Sequence, residues 1–249
     1  RQLHAETRRA LRRGLENPLE RADWVRETRE EAHSLLATIG ADMARVDALW
    51  ESLGEDFFLQ YASSEVVWQT QGMLAHAGSE LPLILINAPT DDMAEGGTKV
   101  FIHTRSVDDL FAATAAAMEQ LGLSIHDARI ATSLNDWTLN TFIVLDDHDK
   151  PIRDASRLEE IRRHLVEELD DPDDYPTIVT RHTPRQLKHF KVATQVAIEQ
   201  DPGGERTLLE LTAPDRPGLL ARVGSIFMEQ GITLSAAKIA TLGERVEDA

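Results

Sequence analysis

An internal repeat constrains this chain more than any single motif does. Residues 110–132 align without a gap on residues 219–241, at an offset of 109 positions. Leu110/Leu219, Ala112/Ala221, Gly122/Gly231, Ala128/Ala237, Ile130/Ile239, Ala131/Ala240 and Thr132/Thr241 are identical pairs. The flanks match in kind. Pro82-Leu83-Ile84-Leu85-Ile86 before Gly96-Gly97 echoes Thr194-Gln195-Val196-Ala197-Ile198 before Gly203-Gly204. Self-similarity at a fixed offset is the signature of one supersecondary unit used twice.

The later copy shows what that unit is. Leu209 and Leu211 alternate as a strand, and Pro214-Asp215-Arg216-Pro217-Gly218 interrupts it. Asp215 suits a helix cap, and Pro217 presets φ for a first turn. Leu219, Leu220, Val223, Ile226 and Phe227 recur at helical spacing; Gly231 stops that helix, and Ile232, Leu234, Ala236 and Ile239 read as a returning strand. The earlier copy repeats the plan. Val100 and Ile102 form a strand, Asp108 caps a helix through Leu110, Phe111, Ala117 and Met118, and Gly122 ends it. Strands through Leu123–Ile130 and Trp137–Leu145 follow, then a helix capped by Ser156. The predicted class is α+β.

Residues 1–80 carry a different pattern. Arg8, Arg9, Arg12 and Arg13 surround Leu3, Ala10 and Leu11 as a basic amphipathic helix, read as a solvated or domain-docking face. Asn17-Pro18 breaks it. A helix from near Asp23 places Trp24, Thr28, Ala32, Leu35 and Ile39 on one stripe, and Gly40 ends it. Asp42 caps another with Met43, Val46, Leu49 and Trp50, and Ser64 caps a fourth with Val67, Trp68 and Leu74. The aromatic cluster Phe57, Phe58 and Tyr61 reads as core. The expected division is a helical connector (1–80), a first α+β module (81–175), a linker (176–190) and an incomplete second module (191–249). Residues 146–174 hold twelve acids against five bases. A start on Arg1 without Met and an end inside the repeat point to a portion of a longer polypeptide.

Charge and composition narrow the chemistry. With 43 acidic and 26 basic residues the net charge is −17, which opposes nonspecific binding to nucleic acid or an anionic membrane. No cysteine is present, so disulfides, thiolate metal sites and a Cys nucleophile are excluded. No apolar run approaches a membrane span, so a cytoplasmic location is the default expectation. His126-Asp127 and His148-Asp149 lack the convergent ligands a catalytic metal needs, and Asp170-Asp171-Pro172-Asp173-Asp174 lacks the calcium-loop pattern. No catalytic residue and no metal site is expected.

The Asp215–Leu220 turn is the candidate binding site. Free N–H groups at a helix start suit a carboxylate, and Gly218 admits a ligand close to the backbone. The helix-end field is worth only about 0.3–1 kcal/mol at an exposed site. Millimolar binding needs about 4 kcal/mol. Further hydrogen bonds must come from the next strand (Leu234, Ser235, Ala236) or from a facing module. The first copy has Ser106-Val107-Asp108-Asp109 at this place, without Pro or Gly, so Asp108, Asp109, Leu110, Ile125 and His126 are the weaker candidates there.

Asp215-Arg216-Pro217-Gly218-Leu219-Leu220 resembles the ligand-binding turn of ACT domains, ferredoxin-like βαββαβ modules that sense amino acids. Thr7-Arg8-Arg9-Ala10-Leu11-Arg12-Arg13-Gly14-Leu15-Glu16-Asn17, Leu123-Ser124-Ile125-His126-Asp127-Ala128-Arg129-Ile130, Thr141-Phe142-Ile143-Val144-Leu145 and Arg185-Gln186-Leu187-Lys188-His189-Phe190 extend the likeness along the chain. Together they resemble the family of bifunctional uridylyltransferase/uridylyl-removing enzymes of PII nitrogen signalling. That resemblance implies tandem ACT modules after an HD domain, and a parent that transfers UMP from UTP to PII with Mg²⁺ and hydrolyses PII-UMP. It implies L-glutamine as effector; partners are PII, the upstream catalytic domains, and ACT–ACT pairing within or between chains. A platform docking PII or a second copy, or the ACT region of another amino-acid-controlled enzyme, are the alternatives.

Overall fold

In the computed structural model, residues 18–89, 97–106, 110–171, 193–200, 207–214, 219–232, 234 and 236–240 are described. Helices α1 (Pro18–Thr38), α2 (Met43–Ser52), α3 (Glu55–Gln60) and α4 (Ser63–His76) come first. Then follow β1 (Leu83–Asn87), β2 (Thr98–His103), α5 (Leu110–Gln120), β3 (Ser124–Ala131), β4 (Asn140–Leu145) and α6 (Ala155–Asp170). The last elements are β5 (Gln195–Gln200), β6 (Thr207–Thr212), α7 (Leu219–Glu229) and β7 (Ala236–Ala240). The α+β reading holds.

Local chemistry sets most boundaries. Asp42 Oδ1 accepts from the amides of Ala44 (3.1 Å) and Arg45 (3.3 Å), capping α2 as expected. Gly122 (φ 73°) and Gly231 (φ 64°), equivalent in the repeat, both take the left-handed conformation that ends a helix. Three starts differ from expectation. Helix α1 already runs from Pro18, whose fixed φ suits a first turn, and not from Asp23. Helix α4 begins at Ser63, and the Glu65 carboxylate accepts from the Ala62 amide (3.3 Å) in place of a Ser64 cap. Helix α6 is capped two positions earlier than Ser156, by Asp154 Oδ1 on the Arg157 amide (2.8 Å). The caps expected from Asp108 and Asp215 lie outside the described residues.

Strands order as β1-β2-β4-β3-β7, every neighbouring pair antiparallel. Both faces of the first four strands are covered. Ile84, Val100, Ile102, Ala128, Ile130, Phe142 and Val144 pack against α5 and α6. Leu83, Phe101, Ala131 and Leu139 point the other way, into the helical connector with Trp50, Phe57, Phe58 and Tyr61. The aromatic cluster is core, as its composition indicates. The buried stripe of α1 is Val25, Thr28, Ala32 and Leu36; Trp24, Leu35 and Ile39, expected on that stripe, are 42–55% exposed. Trp50, Phe57 and Phe58 fill the interface from one flank of α1, leaving the other in solvent.

A polar seam ties the connector to the sheet. Tyr61 donates to the Leu139 carbonyl (3.0 Å), Thr141 donates to Tyr61 (3.0 Å), and Gln69 donates to Thr141 (3.2 Å). Burial pushes the Tyr61 hydroxyl's pKa up, so it stays a neutral donor. Glu65 lies between Lys99 (2.5 Å) and Arg129 (3.4 Å). Burial works to raise its pKa; the Lys99 hydrogen bond and charge, the Arg129 charge and the Ala62 amide outweigh it, and the net shift is downward. His103, with Nδ1 on the Thr138 carbonyl (2.6 Å), is held below its usual range chiefly by burial.

Both depressed values make stability fall with acid. Stability tied to His103 should decline from about pH 6.5 downward, where the unfolded imidazole takes a proton first; that of Glu65 should decline below about 4.5. Glu65→Gln should cost about 1.5–3 kcal/mol at pH 7, the worth of hydrogen bonds to charged groups. Urea unfolding at pH 7, 5 and 4 checks this: the gap between Glu65→Gln and the unaltered chain should close as pH falls.

Candidate functional site

The two copies of the repeat meet along β3 and β7. Asp127 faces Ala240, Ala128 faces Ile239, Arg129 faces Lys238, Ile130 faces Ala237 and Ala131 faces Ala236. Arg129 thus lies opposite its own repeat equivalent, and the other pairs exchange equivalents symmetrically about it. The copies are related by a local two-fold passing between Arg129 and Lys238. The helices obey the same relation. A Cβ on Gly224 would lie 2.8 Å from both Cα and Cβ of Ala112, while Ala115 and Ala116 cluster with Ala221. Ala115 is the equivalent of Gly224, and Ala112 of Ala221. Small residues at these positions let α5 and α7 approach closely.

This geometry decides which candidate residues share a corner. Strand β3 has an irregularity between Ile125 and Asp127, at His126. An extra residue in a strand reverses the facing of what precedes it. Asp127, Arg129 and Ala131 therefore face the connector, while Ile125 turns to the helical face and packs on Ala115, Ala116 and Ala221. Leu220, in the first turn of α7, packs on the same cluster. Glu119, 7% exposed, sits one turn further along α5 toward this corner. Leu220 of the second copy and Ile125 of the first thus pack against one shared alanine cluster.

Leu234 goes elsewhere. It packs against the core containing Leu110, and Ala236 pairs with Ala131 at the opposite end of β3. Helix α7 runs back along the sheet from Leu219 toward the strand after Gly231. Its 11 residues separate the two groups by about 16 Å at 1.5 Å per residue. The same holds in the first copy, where Leu110 and the pair Ile125/His126 lie at opposite ends of α5. Asp215, Arg216, Pro217, Gly218, Ser235, Asp108 and Asp109 lie outside the described residues. Glu119 and the small-residue stripe carried no binding motif; only the phase of the repeat across an antiparallel strand pair would have pointed to them.

The remaining polar clusters have local partners. Asp146, Asp147 and His148 bring ligand atoms within 4.8 Å of one another. Asp146 Oδ1 already accepts from the amides of His148 (2.9 Å) and Lys150 (2.8 Å), which close the turn and lower its pKa. Asp127 pairs with Arg129 at 4.0 Å. No helix among the described residues is long and apolar enough to cross a membrane.

Comparison with known proteins adds to this geometry. Residues 20–72 match the family described as Uridylyltransferase GlnD fifth domain, and residues 207–248 match the ACT domain. The whole chain is 52% identical to a bifunctional uridylyltransferase/uridylyl-removing enzyme of Ectopseudomonas mendocina and 52% to that of Pseudomonas savastanoi pv. phaseolicola. It is 51% identical over its whole length to the enzyme of Azotobacter vinelandii. The chain spans 28% of the length of these relatives. No solved structure matches it.

Gly224→Val should force α5 and α7 apart, at about 1–3 kcal/mol for overpacking. Hydrogen exchange should show amides of Ala236–Ala240 losing protection while β1, β2 and β4 keep theirs.

Proposed function

Starting from a chain homologous along its whole length to the bifunctional uridylyltransferase/uridylyl-removing enzymes, we propose that it is their amino-acid-sensing regulatory portion. In this reading residues 1–80 are a connector from upstream catalytic domains, 81–175 and 191–249 are ACT modules, and 176–190 link them. Chemistry with UTP, Mg²⁺ and PII in the cytoplasm belongs to the rest of the polypeptide. This portion binds L-glutamine and biases UMP transfer to PII against its removal. Such coupling is typically about 5–150-fold.

One observation carries the reading: Leu220 at the start of α7 and Ile125 of the other copy pack against the same alanine cluster beside a shared sheet. A helix start alone is too weak for millimolar affinity, and a facing module supplies what it lacks. The effector's carboxylate would lie on the turn Asp215-Arg216-Pro217-Gly218 ahead of Leu219 and Leu220. Its other end would meet the first copy around Ile125 and His126. Leu234, Ser235 and Ala236, with Asp108, Asp109 and Leu110, would form the two-fold related corner.

A second reading, a platform docking PII or a second copy, draws on the β5–β6 hairpin. Val196, Ile198, Leu209 and Leu211 share one face of it and are 37–67% exposed. Capture of PII that is indifferent to glutamine would favour this reading.

Calorimetry with L-glutamine on a chain extended beyond residue 249 tests the sensing reading. Millimolar or tighter binding is expected, weakened at least tenfold by Gly218→Val and less by Asp215→Ala. No heat at millimolar glutamine would count against it.

A further inference from the structure

Arg129 stands where three things meet. It lies on β3 at the local two-fold, between β4 on one side and β7 on the other. Its side chain leaves the sheet on the connector face. There Nη1 donates to the Gln60 carbonyl at 3.0 Å, on the last residue of α3. The same nitrogen lies 3.4 Å from Glu65 Oε2, the oxygen that accepts from the Ala62 amide at the start of α4. The guanidinium also sits 5.6 Å from the centre of the Tyr61 ring. One planar cation therefore holds the end of α3, the start of α4 and the aromatic residue in the elbow between them. A last-turn carbonyl has no partner within its own helix, so this bond is not replaceable from within α3. A lysine could offer a charge at that point but not a planar guanidinium over the Tyr61 ring.

The strand beneath Arg129 is also the strand that the candidate effector corner touches. Ile125, four residues from Arg129 along β3, packs against the same alanine cluster as Leu220, and the irregularity at His126 separates its facing from that of Arg129. Binding at that corner would therefore bear on the strand that carries Arg129.

We propose that Arg129 is the positioning residue that passes the state of the seam between the two copies to the α3–α4 elbow of the helical connector. The proposal rests on the sensing reading above and adds the route by which sensing leaves the modules. Arg129 does not touch the effector. Its removal uncouples binding from response and leaves binding in place.

The test uses the full-length enzyme, unaltered and as Arg129→Gln, Arg129→Lys and Glu65→Gln. Calorimetry gives the affinity for L-glutamine, and hydrogen exchange with and without saturating glutamine follows amides of 55–76 and 236–240. In the unaltered enzyme both regions should respond. In Arg129→Gln the affinity should stay within about threefold and 236–240 should still respond. The change over 55–76, and the glutamine-dependent ratio of UMP removal to UMP transfer, should shrink at least fivefold, the lower end of typical coupling. Arg129→Lys should recover part of the response. If Arg129→Gln fails to fold, Glu65→Gln carries the same comparison. A full response in folded Arg129→Gln or in Glu65→Gln overturns the relay while leaving sensing intact, as does an affinity loss matching the loss of response. An unaltered enzyme that gives neither heat nor exchange change overturns the sensing reading, and the relay with it.

Discussion

The outer strand of an antiparallel sheet carries a row of unpaired N–H and C=O groups, which must be blunted, covered or paired. Strand β3 would be such an edge, since β4 occupies only one of its sides. Here the second copy of the repeat supplies β7 for the other side. Strands β3 and β7 are equivalent in the repeat, and paired antiparallel the two edges satisfy each other. The local two-fold, the contact between α5 and α7 and the corner joining Leu220 to Ile125 all follow from that pairing.

The pairing also explains the residues on either side of it. A β3–β7 ribbon brings α5 and α7 side by side, and alanines and Gly224 keep that distance short. Larger side chains would prise the strands apart before the helices could touch. On the reverse face, the sheet that carries β3 is the floor on which the connector rests, through Phe101, Ala131 and Leu139 and through the Glu65, Lys99 and Arg129 cluster. The connector and the second copy thus load the same strand from opposite faces and edges. A chain so arranged has few independent parts, which suits the regulatory role proposed above.

The sequence resemblance and the geometry bear on different questions. Identity along the whole chain to uridylyltransferase/uridylyl-removing enzymes says which proteins this region is related to. The arrangement of the seam bears on the proposed sensing, in which a small zwitterion needs more than a single helix start. In that proposal the alanine cluster shared by Leu220 and the first copy's Ile125 is the second wall.

Much of the fold was legible in the residues, and the reason is locality. A 3.6-residue period, a Gly that accepts positive φ and an Asp ahead of a helix act within a few residues. Gly122, Gly231 and Asp42 accordingly sit where they were expected. The repeat, too, is a property of the string. The start at Ser63 and the cap at Asp154 differ from expectation because neighbouring residues compete for a cap, and packing of a whole helix settles the contest. The candidate site was legible only as a set of residues and not as an arrangement. Leu219 and Leu234 looked like neighbours because a short helix joins them, yet that helix carries them to opposite ends of the seam. Which edge β7 pairs with, which copy walls a corner, and that Glu65 meets Arg129 from 64 positions away were decided by tertiary structure alone. Those contacts join distant parts of the chain, and no local preference encodes which strand edges and charges will meet.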